Sequence, residues 1–441
     1  MLSVEQTEML TRVGPGTPMG DLLRRYWTPI LLQEELPEPD CPPVRVRIFC
    51  EDLVAFRDSE GRLGLVEELC AHRQTSLFFG RNEEGGLRCA YHGWKYDVAG
   101  NCIDMPTESP ESNFKDKVKL ISYEVRDGGG LIWAYLGPRE FMPPELPQFR
   151  FMDVPEEHRL HTKYLRECNF AQAIDGGIDS VHTNFLHAGL DRYRKTDAYK
   201  ERIKGSTDLD LLYRTADDAP KFMTKRTDYG LLVGARRNLE AENKYYWRFN
   251  HFLMPFYSMT PRGGGGHAFV PIDDYNCWSF NLSSKVDRPY TEEERERQLA
   301  GIAMDHDLAG GVNMHGGLIP GTYRTVRNRD NDFLIDRTMQ KEVNFTGLAG
   351  TGIQDSMAQV TMGAIANRTR EHLGVTDIAI IQARRLMLGQ AIDLQEGIEP
   401  AEPHTPEAYS VVGVQFVEEK DVTFDECIER QRPRLYAELG S

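Results

Sequence analysis

The reading of this chain turns on the stretch "CAHRQTSLFFGRNEEGGLRCAYHGW", residues 70–94. It holds two mixed pairs of soft ligands. Cys70 and His72 are one residue apart, Cys89 and His92 two, and sixteen residues lie between the pairs. A zinc finger groups cysteine with cysteine and histidine with histidine. Here each pair contributes one thiolate and one imidazole. That suits a two-iron, two-sulfide cluster with unequal irons, Cys70 and Cys89 on one and His72 and His92 on the other. Exchanging two anionic thiolates for neutral imidazoles makes such a cluster less negative and raises its potential. "EELC" runs off a strand and "DVAG" (97–100) turns after "WKY", so both pairs are expected on facing loops at the tip of a small β domain. The glycine and aromatic context "CAYHGWKY" favours a cluster over mere core packing.

Composition narrows the remainder. The 441 residues suggest two or three domains at about 150 residues each. A 40% hydrophobic and 27% charged content is that of a soluble globular protein, and no apolar run approaches the roughly 18 residues of a membrane span. "MLSVEQTEML" has no basic segment followed by an apolar core, so no signal peptide is read and the cytoplasm is the expected location. The net charge of −16 argues against nucleic acid or an anionic membrane as partner. Cys41, Cys50, Cys102, Cys168, Cys277 and Cys427 are scattered without ligand spacing and are expected to be small buried hydrophobes.

Along the chain, residues 1–44 read as a polar, helical N-terminal segment packing with the domain that follows. From Val44 the texture is β: "VRVRIFCEDLVAFRD" alternates, and "VKLISYEVRDGGGLIWAYLG" reads as two strands joined by a glycine turn. The Pro-rich "GPREFMPPELP" (137–147) looks like a linker, which places one domain at 45–150 and a second at 151–441. In the second, strand-like "YGLLVGARRNL", "KYYWRFNHFLMPFYSMTP" and "HAFVPIDDYNCWSFNLSS" lie between helical stretches. Gly128–Gly130 and Gly263–Gly266 lack the spacing of a nucleotide loop and read as turns.

A second constellation lies in "ECNFAQAIDGGIDSVHTNFLH", which reads as helical: Asp179, His182 and His187, spaced D-x2-H-x4-H. Two imidazoles and one carboxylate on one face of Fe(II) leave positions open for O2. On an ideal helix Asp175, Asp179 and His182 share a face, but His187 stands about 140° around from His182. Both histidines can hold one metal only if the helix widens, bulges or ends between them.

C-x-H, sixteen residues, then C-x2-H-G-W resembles the Rieske non-haem iron ring-hydroxylating oxygenases, and the second motif extends the resemblance over nearly the whole chain. Within that family the chain resembles the phthalate 4,5-dioxygenase-like branch, through "RVGPGTPMGDLLRRYW" (12–27), "NDFLIDR" (331–337) and "NRTREHLG" (367–374). The resemblance implies an α+β architecture: a Rieske β-sandwich domain plus a catalytic domain whose antiparallel β-sheet is wrapped by helices, of helix-grip type. It implies a terminal oxygenase with a Rieske [2Fe–2S] cluster and a mononuclear Fe(II) on His182, His187 and a distant acid. Asp355 in "GIQDSMAQVTMGAI" matches that place, with Asp332 and Asp336 as fallbacks, although the local pattern alone reads Asp355 as a helix N-cap.

By the same resemblance Asp179 links the iron's histidine to a Rieske histidine of a neighbouring subunit, with Asp175 as the competing candidate. That implies a homotrimer, or two trimers stacked as a hexamer. Electrons are expected from a separate NADH-dependent flavin and iron–sulfur reductase. The substrates are expected to be O2 and a small aromatic carboxylate such as a phthalate or benzoate. Ser180 and Arg248 are the candidate carboxylate-holding residues; Arg236 and Arg237 are weaker, since neighbours on a strand face opposite ways. His251, His267 and His315 are further lining candidates. Dihydroxylation and monooxygenation with O-demethylation use the same irons. The rivals from other classes are a Rieske electron carrier without oxygenase chemistry and a zinc-stabilised binding protein.

Overall fold

The computed structural model describes residues 1–109, 111–261, 265–300 and 316–436, together with the backbone of 302–303 and 312–313. The chain forms two compact units. One comprises Arg12–Leu146 with Val270–Asp274; the other comprises Met1–Thr11, Pro147–Phe269 and Tyr275–Ser441.

The smaller unit is a pair of antiparallel sheets. Strands β1 (Thr28–Leu32), β2 (Val44–Ile48), β3 (Glu51–Arg57), β4 (Leu63–Glu67), β9 (Ser122–Gly128) and β10 (Leu131–Tyr135) form a six-stranded sheet in the order β1-β10-β9-β4-β3-β2. Between β4 and β9 the chain builds a four-stranded sheet of β5 (Arg81–Glu83), β6 (Gly86–Arg88), β7 (Lys95–Tyr96) and β8 (Cys102–Asp104). The expected helical lead-in is present at Val4–Thr11 and Pro18–Leu23 but fails at β1. "TPILL" is buried at every position, so it shows none of the alternation that marks a half-exposed strand. Val54, Phe56, Val66, Leu77, Leu87, Trp94 and Tyr96 form a core that also contains Cys70 and Cys89.

The larger unit is built on an eight-stranded antiparallel sheet. Its order is β11 (Thr162–Arg166), β17 (Cys277–Ser283), β16 (Gly265–Pro271), β15 (Tyr257–Met259), β14 (Lys244–Leu253), β13 (Gly230–Leu239) and β12 (Lys221–Thr227), with the strand Val414–Glu419 also paired to β14. The two faces of β13–β14 have different covers. Trp247 and Phe249 pack with Phe416, Cys427 and Ile428 under the C-terminal helix Phe424–Leu435. The alternate residues Arg248 and Asn250 face a cavity. Both faces are thus covered, which is why β14 is buried at eight of its ten residues. Arg236 and Arg237 do point to opposite faces. Neither is a freely solvated cation: Arg236 lies 3.9 Å from the Tyr245 ring centroid, and Arg237 is fully buried.

Candidate metal centres and active site

The two Cys/His pairs occupy loops of the same construction. In the first, the Cys70 N–H donates to Thr75 O at 2.9 Å and the Gln74 N–H to Cys70 O at 2.9 Å. In the second, the Cys89 N–H donates to Trp94 O at 2.8 Å and the Gly93 N–H to Cys89 O at 3.1 Å. The fourth residue after each cysteine has positive φ, 59° at Gln74 and 77° at Gly93. Gly93 is required twice over, because a Cβ there would also lie 2.7 Å from Pro106 Cγ.

These loops bury the thiols and leave the imidazoles outermost. Cys70 and Cys89 are 1% and 2% exposed, whereas His72 and His92 are half-buried and Tyr91 beside them is exposed. The His72 and His92 ring centroids are 4.5 Å apart, and Trp94 stacks on His72 at 4.4 Å. The Tyr96 hydroxyl is 3.2 Å from Cys70 Sγ. Burial, with Cys89 close by, raises the Cys70 pKa even though the Tyr96 hydroxyl opposes the shift. The free Cys70 thiol is therefore protonated at neutral pH, and metal must displace its proton to bind. His72 Nδ1 is buried without a partner. That orphaned nitrogen, with two buried sulfurs and a second imidazole, is the donor set a Rieske cluster takes.

The second centre depends on where one helix stops. The helix Phe170–Ile178 ends before the histidines, with Asp179 as its extended C-cap, and His182–Asn184 is a single 3-10 turn. The continuous helix expected through His187 is therefore corrected: breaking it removes the 140° problem. It also separates Asp175 from Asp179. Asp175 is held by Arg368 at 2.7 Å and Arg384 at 2.6 Å, so it has no part in the metal set. Asp355 lies inside the helix Thr351–Val360, whose N-cap is Gly350, and so is not itself a cap.

His182 Nε2 and His187 Nε2 are 3.1 Å apart, and Asp355 Oδ1 is 3.7 Å and 3.2 Å from them. Two donors bonded to one metal at roughly 2.1 Å and at right angles would be about 3.0 Å apart. Among the described residues this is the one group of three or more His, Cys, Asp or Glu donors lying within 4.8 Å of one another. Asp336 instead caps the helix Arg337–Glu342, and Asp332 sits in a turn with φ 49°. Neither fallback joins the set.

Each imidazole is gripped from behind. His182 Nδ1 lies 3.3 Å from Asp179 Oδ2, and the other Asp179 oxygen accepts the Val181 N–H at 2.7 Å. His187 Nδ1 lies 2.7 Å from Gln354 Oε1. The Gln354 amide is itself oriented, since its Nε2 donates to Leu348 O and Thr346 Oγ1. Both Nδ1 atoms therefore carry the proton, and two Nε2 lone pairs converge on a carboxylate with no donor between them. A cation satisfies that arrangement. Burial alone would raise Asp355, but His187, His182 and Arg166 hold its carboxyl well below the usual carboxylate range. Burial would likewise lower His182, yet Asp179 and Asp355 raise it.

The three donors form part of the wall of a cavity of about 340 Å³, near the small end of the roughly 300–1,000 Å³ common for ligand pockets. Ser180, Arg248 and His267 also line it. The Ser180 hydroxyl is buried without a partner, and Arg248 Nη1 is 2.7 Å from Asp210 Oδ1. His251 is not a lining residue: it is buried between the Tyr229 hydroxyl at 2.6 Å and Val412 O at 3.0 Å. His315 lies outside the described residues.

Sequence reasoning missed Gln354, Asp210 and Arg166. Only Asp210 left a trace, an Asp–Arg pair four residues apart with Arg214.

Comparison with known proteins agrees with this geometry. Residues 26–124 match the Rieske [2Fe–2S] domain family, and residues 134–430 match the family described as LigXa C-terminal domain like. The chain belongs to the Rieske oxygenases: it is an oxygenase subunit that carries a Rieske [2Fe–2S] cluster and a mononuclear iron centre. Within that class it is 40% identical to the phthalate 4,5-dioxygenase oxygenase subunit of Pseudomonas putida, over 90% of this chain and 88% of that one. It is 37% identical to the 3-chlorobenzoate-3,4-dioxygenase oxygenase subunit of Comamonas testosteroni, over 88% of each. A 5,5'-dehydrodivanillate O-demethylase oxygenase subunit from a Sphingobium strain is 31% identical over 91% of this chain and 83% of that one. The fold also matches the crystal structure of dicamba monooxygenase bound to dicamba, with TM-score 0.55 and 17% identity over 85% of this chain and 99% of that chain. Among the described residues no helix is long and apolar enough to cross a membrane.

Proposed function

We propose that this oxygenase inserts oxygen into a small aromatic carboxylate, such as a phthalate or benzoate, most simply as a cis-dihydroxylation. The observation that carries the reading is the placement of the His182–His187–Asp355 donor set on the wall of a cavity that also holds an unengaged hydroxyl and a guanidinium. Cys70, Cys89, His72 and His92 hold the cluster; His182, His187 and Asp355 hold the mononuclear iron. The bound iron supplies O2 activation, with electrons delivered through the cluster.

The chain's own side chains do the rest. Asp179 fixes the His182 tautomer and is the link to a Rieske histidine of a neighbouring subunit, in a homotrimer or a stacked hexamer. The outermost position of the two half-buried imidazoles at the cluster site suits such an exit. Ser180 and Arg248 face the substrate. A separate NADH-dependent reductase supplies electrons, and the enzyme works in the cytoplasm. O-demethylation of a methoxy-aromatic acid is the second reading, favoured by the demethylase subunit among the relatives.

Metal and sulfide counts per chain, then turnover of benzoates, phthalates and methoxybenzoates with product analysis, test the proposal. Three irons with two acid-labile sulfides and an oxygenated ring support it. Two irons with two sulfides would leave an electron carrier, and a colourless zinc protein would end the reading altogether.

A further inference from the structure

Two guanidinium groups line the cavity, and their charge is not equally available. Arg248 already forms an ion pair with the wholly buried Asp210 at 2.7 Å, a carboxylate that Arg214 shares at 3.1 Å. Arg166, the last residue of β11, is 3% exposed and has no such partner. Its hydrogen bonds go to Gln359 Oε1 and Tyr164 Oη, neither of them a carboxylate, and its Nε has no partner at all. The Tyr164 and Phe269 ring centroids lie 5.4 Å and 5.6 Å from its Cζ. Among the described residues no carboxylate forms an ion pair with it. Asp355 is the acid it feels at longer range, and that carboxylate belongs to the metal donor set.

A guanidinium stays protonated at any working pH, and a buried cation without a counter-ion is costly. Its fork has five N–H donors, and its two hydrogen bonds leave capacity for a planar anion. Its position is also tied to the metal: Gln359 lies one helical turn beyond Asp355 on the helix Thr351–Val360. An anion held by Arg166 is thereby registered against the helix that supplies the carboxylate ligand.

We propose that Arg166 reads the substrate's carboxylate and sets the enzyme's preference for aromatic acids, while Arg248, already committed to an ion pair with Asp210, contributes a lesser contact. The proposal rests on the aromatic-acid reading given above.

The test is equilibrium binding to the oxidised, iron-loaded holoenzyme without reductant, by titration calorimetry. The probes are phthalate, benzoate and 3-chlorobenzoate, each against its amide. Arg166→Gln is expected to weaken the best-binding acid at least tenfold, about 1.4 kcal/mol, and to change its amide less than twofold. Arg248→Gln is expected to cost the acid less than Arg166→Gln does. Arg166→Lys, which keeps the charge but not the fork, falls between wild type and Arg166→Gln. Equal losses for acid and amide would make Arg166 a structural brace and overturn the inference. So would acid selectivity that survives Arg166→Gln but disappears in Arg248→Gln; in both cases the oxygenase reading stands. If wild type binds the amides as tightly as the acids, the aromatic-acid reading and this inference fall together. Should Arg166→Gln fail to fold, as judged by the cluster's visible spectrum and iron content, Arg166→Lys carries the comparison: a loss for the acid that its amide does not share supports the inference, and equal losses overturn it.

Discussion

Replacing Gln354 by leucine removes the one side-chain acceptor that lies behind His187 among the described residues, while leaving the three candidate metal donors in place. The wild-type amide accepts from His187 Nδ1 at 2.7 Å and is locked by donating to Leu348 O and Thr346 Oγ1. Leu348 O keeps a second donor, Asn344 Nδ2 at 3.0 Å, so the substitution strands little on that side. What is lost is control of one imidazole: its tautomer, its orientation and the basicity that the Nδ1–H bond confers on Nε2. Partners of this kind are worth about 10- to 100-fold in metal affinity, equivalent to roughly 1.4–2.8 kcal/mol. The assay is retention of mononuclear iron during dialysis against graded chelator, with the cluster's visible absorption as an internal control. Gln354→Glu, which restores an acceptor, should recover most of the affinity. Iron retention within twofold of wild type in Gln354→Leu, with an intact cluster, would refute the argument that His187 is held ready by this bond.

The other expectations follow from single contacts. Asp355→Ala removes one of three donors and should empty the mononuclear site without altering the cluster's spectrum; iron retained there would mean that another acid serves as ligand. Asp179→Asn keeps the polar contact at His182 Nδ1 but alters the link proposed between the centres, so both metals should stay while coupled turnover falls by at least 100-fold; near-normal turnover would remove Asp179 from the electron route. Burial depresses the His251 pKa to about 4, although the contact with Val412 O opposes the shift. Below its ordinary value near 6.5 the unfolded chain takes up a proton that the folded chain refuses, so stability falls as the pH drops from about 6.5 to about 4. The full span is about 3 kcal/mol. Urea melts at pH 7 and pH 5 should show this loss in wild type, and a shallower one in His251→Gln; parallel slopes would show that the buried histidine is not the cause.

Much of the cluster site is legible in the residues because its ligands sit on two short loops, each closed by local hydrogen bonds from the cysteine to residues four and five positions on. Spacing along the chain is then nearly spacing in space. The same holds for His182 and His187, with one exception. The periodic pattern runs on through "DSVHTNFLH" and gives no sign that the helix stops at Ile178, yet that stop brings the two imidazoles together. The strand at Thr28–Leu32 escaped for a related reason: uniform burial erases the alternation that would reveal it.

The sequence by itself determined the donor chemistry: which sulfurs and nitrogens can hold a Rieske cluster, and which two histidines can share an iron. Only the tertiary structure brought Asp355 to them and supplied the partners that orient the set. Gln354 reaches His187 across 167 positions and Arg248 meets Asp210 across 38. Such contacts leave no periodicity behind. The charge available in the cavity was decided in the same way, since an arginine in a strand reads alike whether or not a distant carboxylate pairs with it. Pairing depends on which elements pack together, and packing is set by burial over the whole chain, not by spacing within one element.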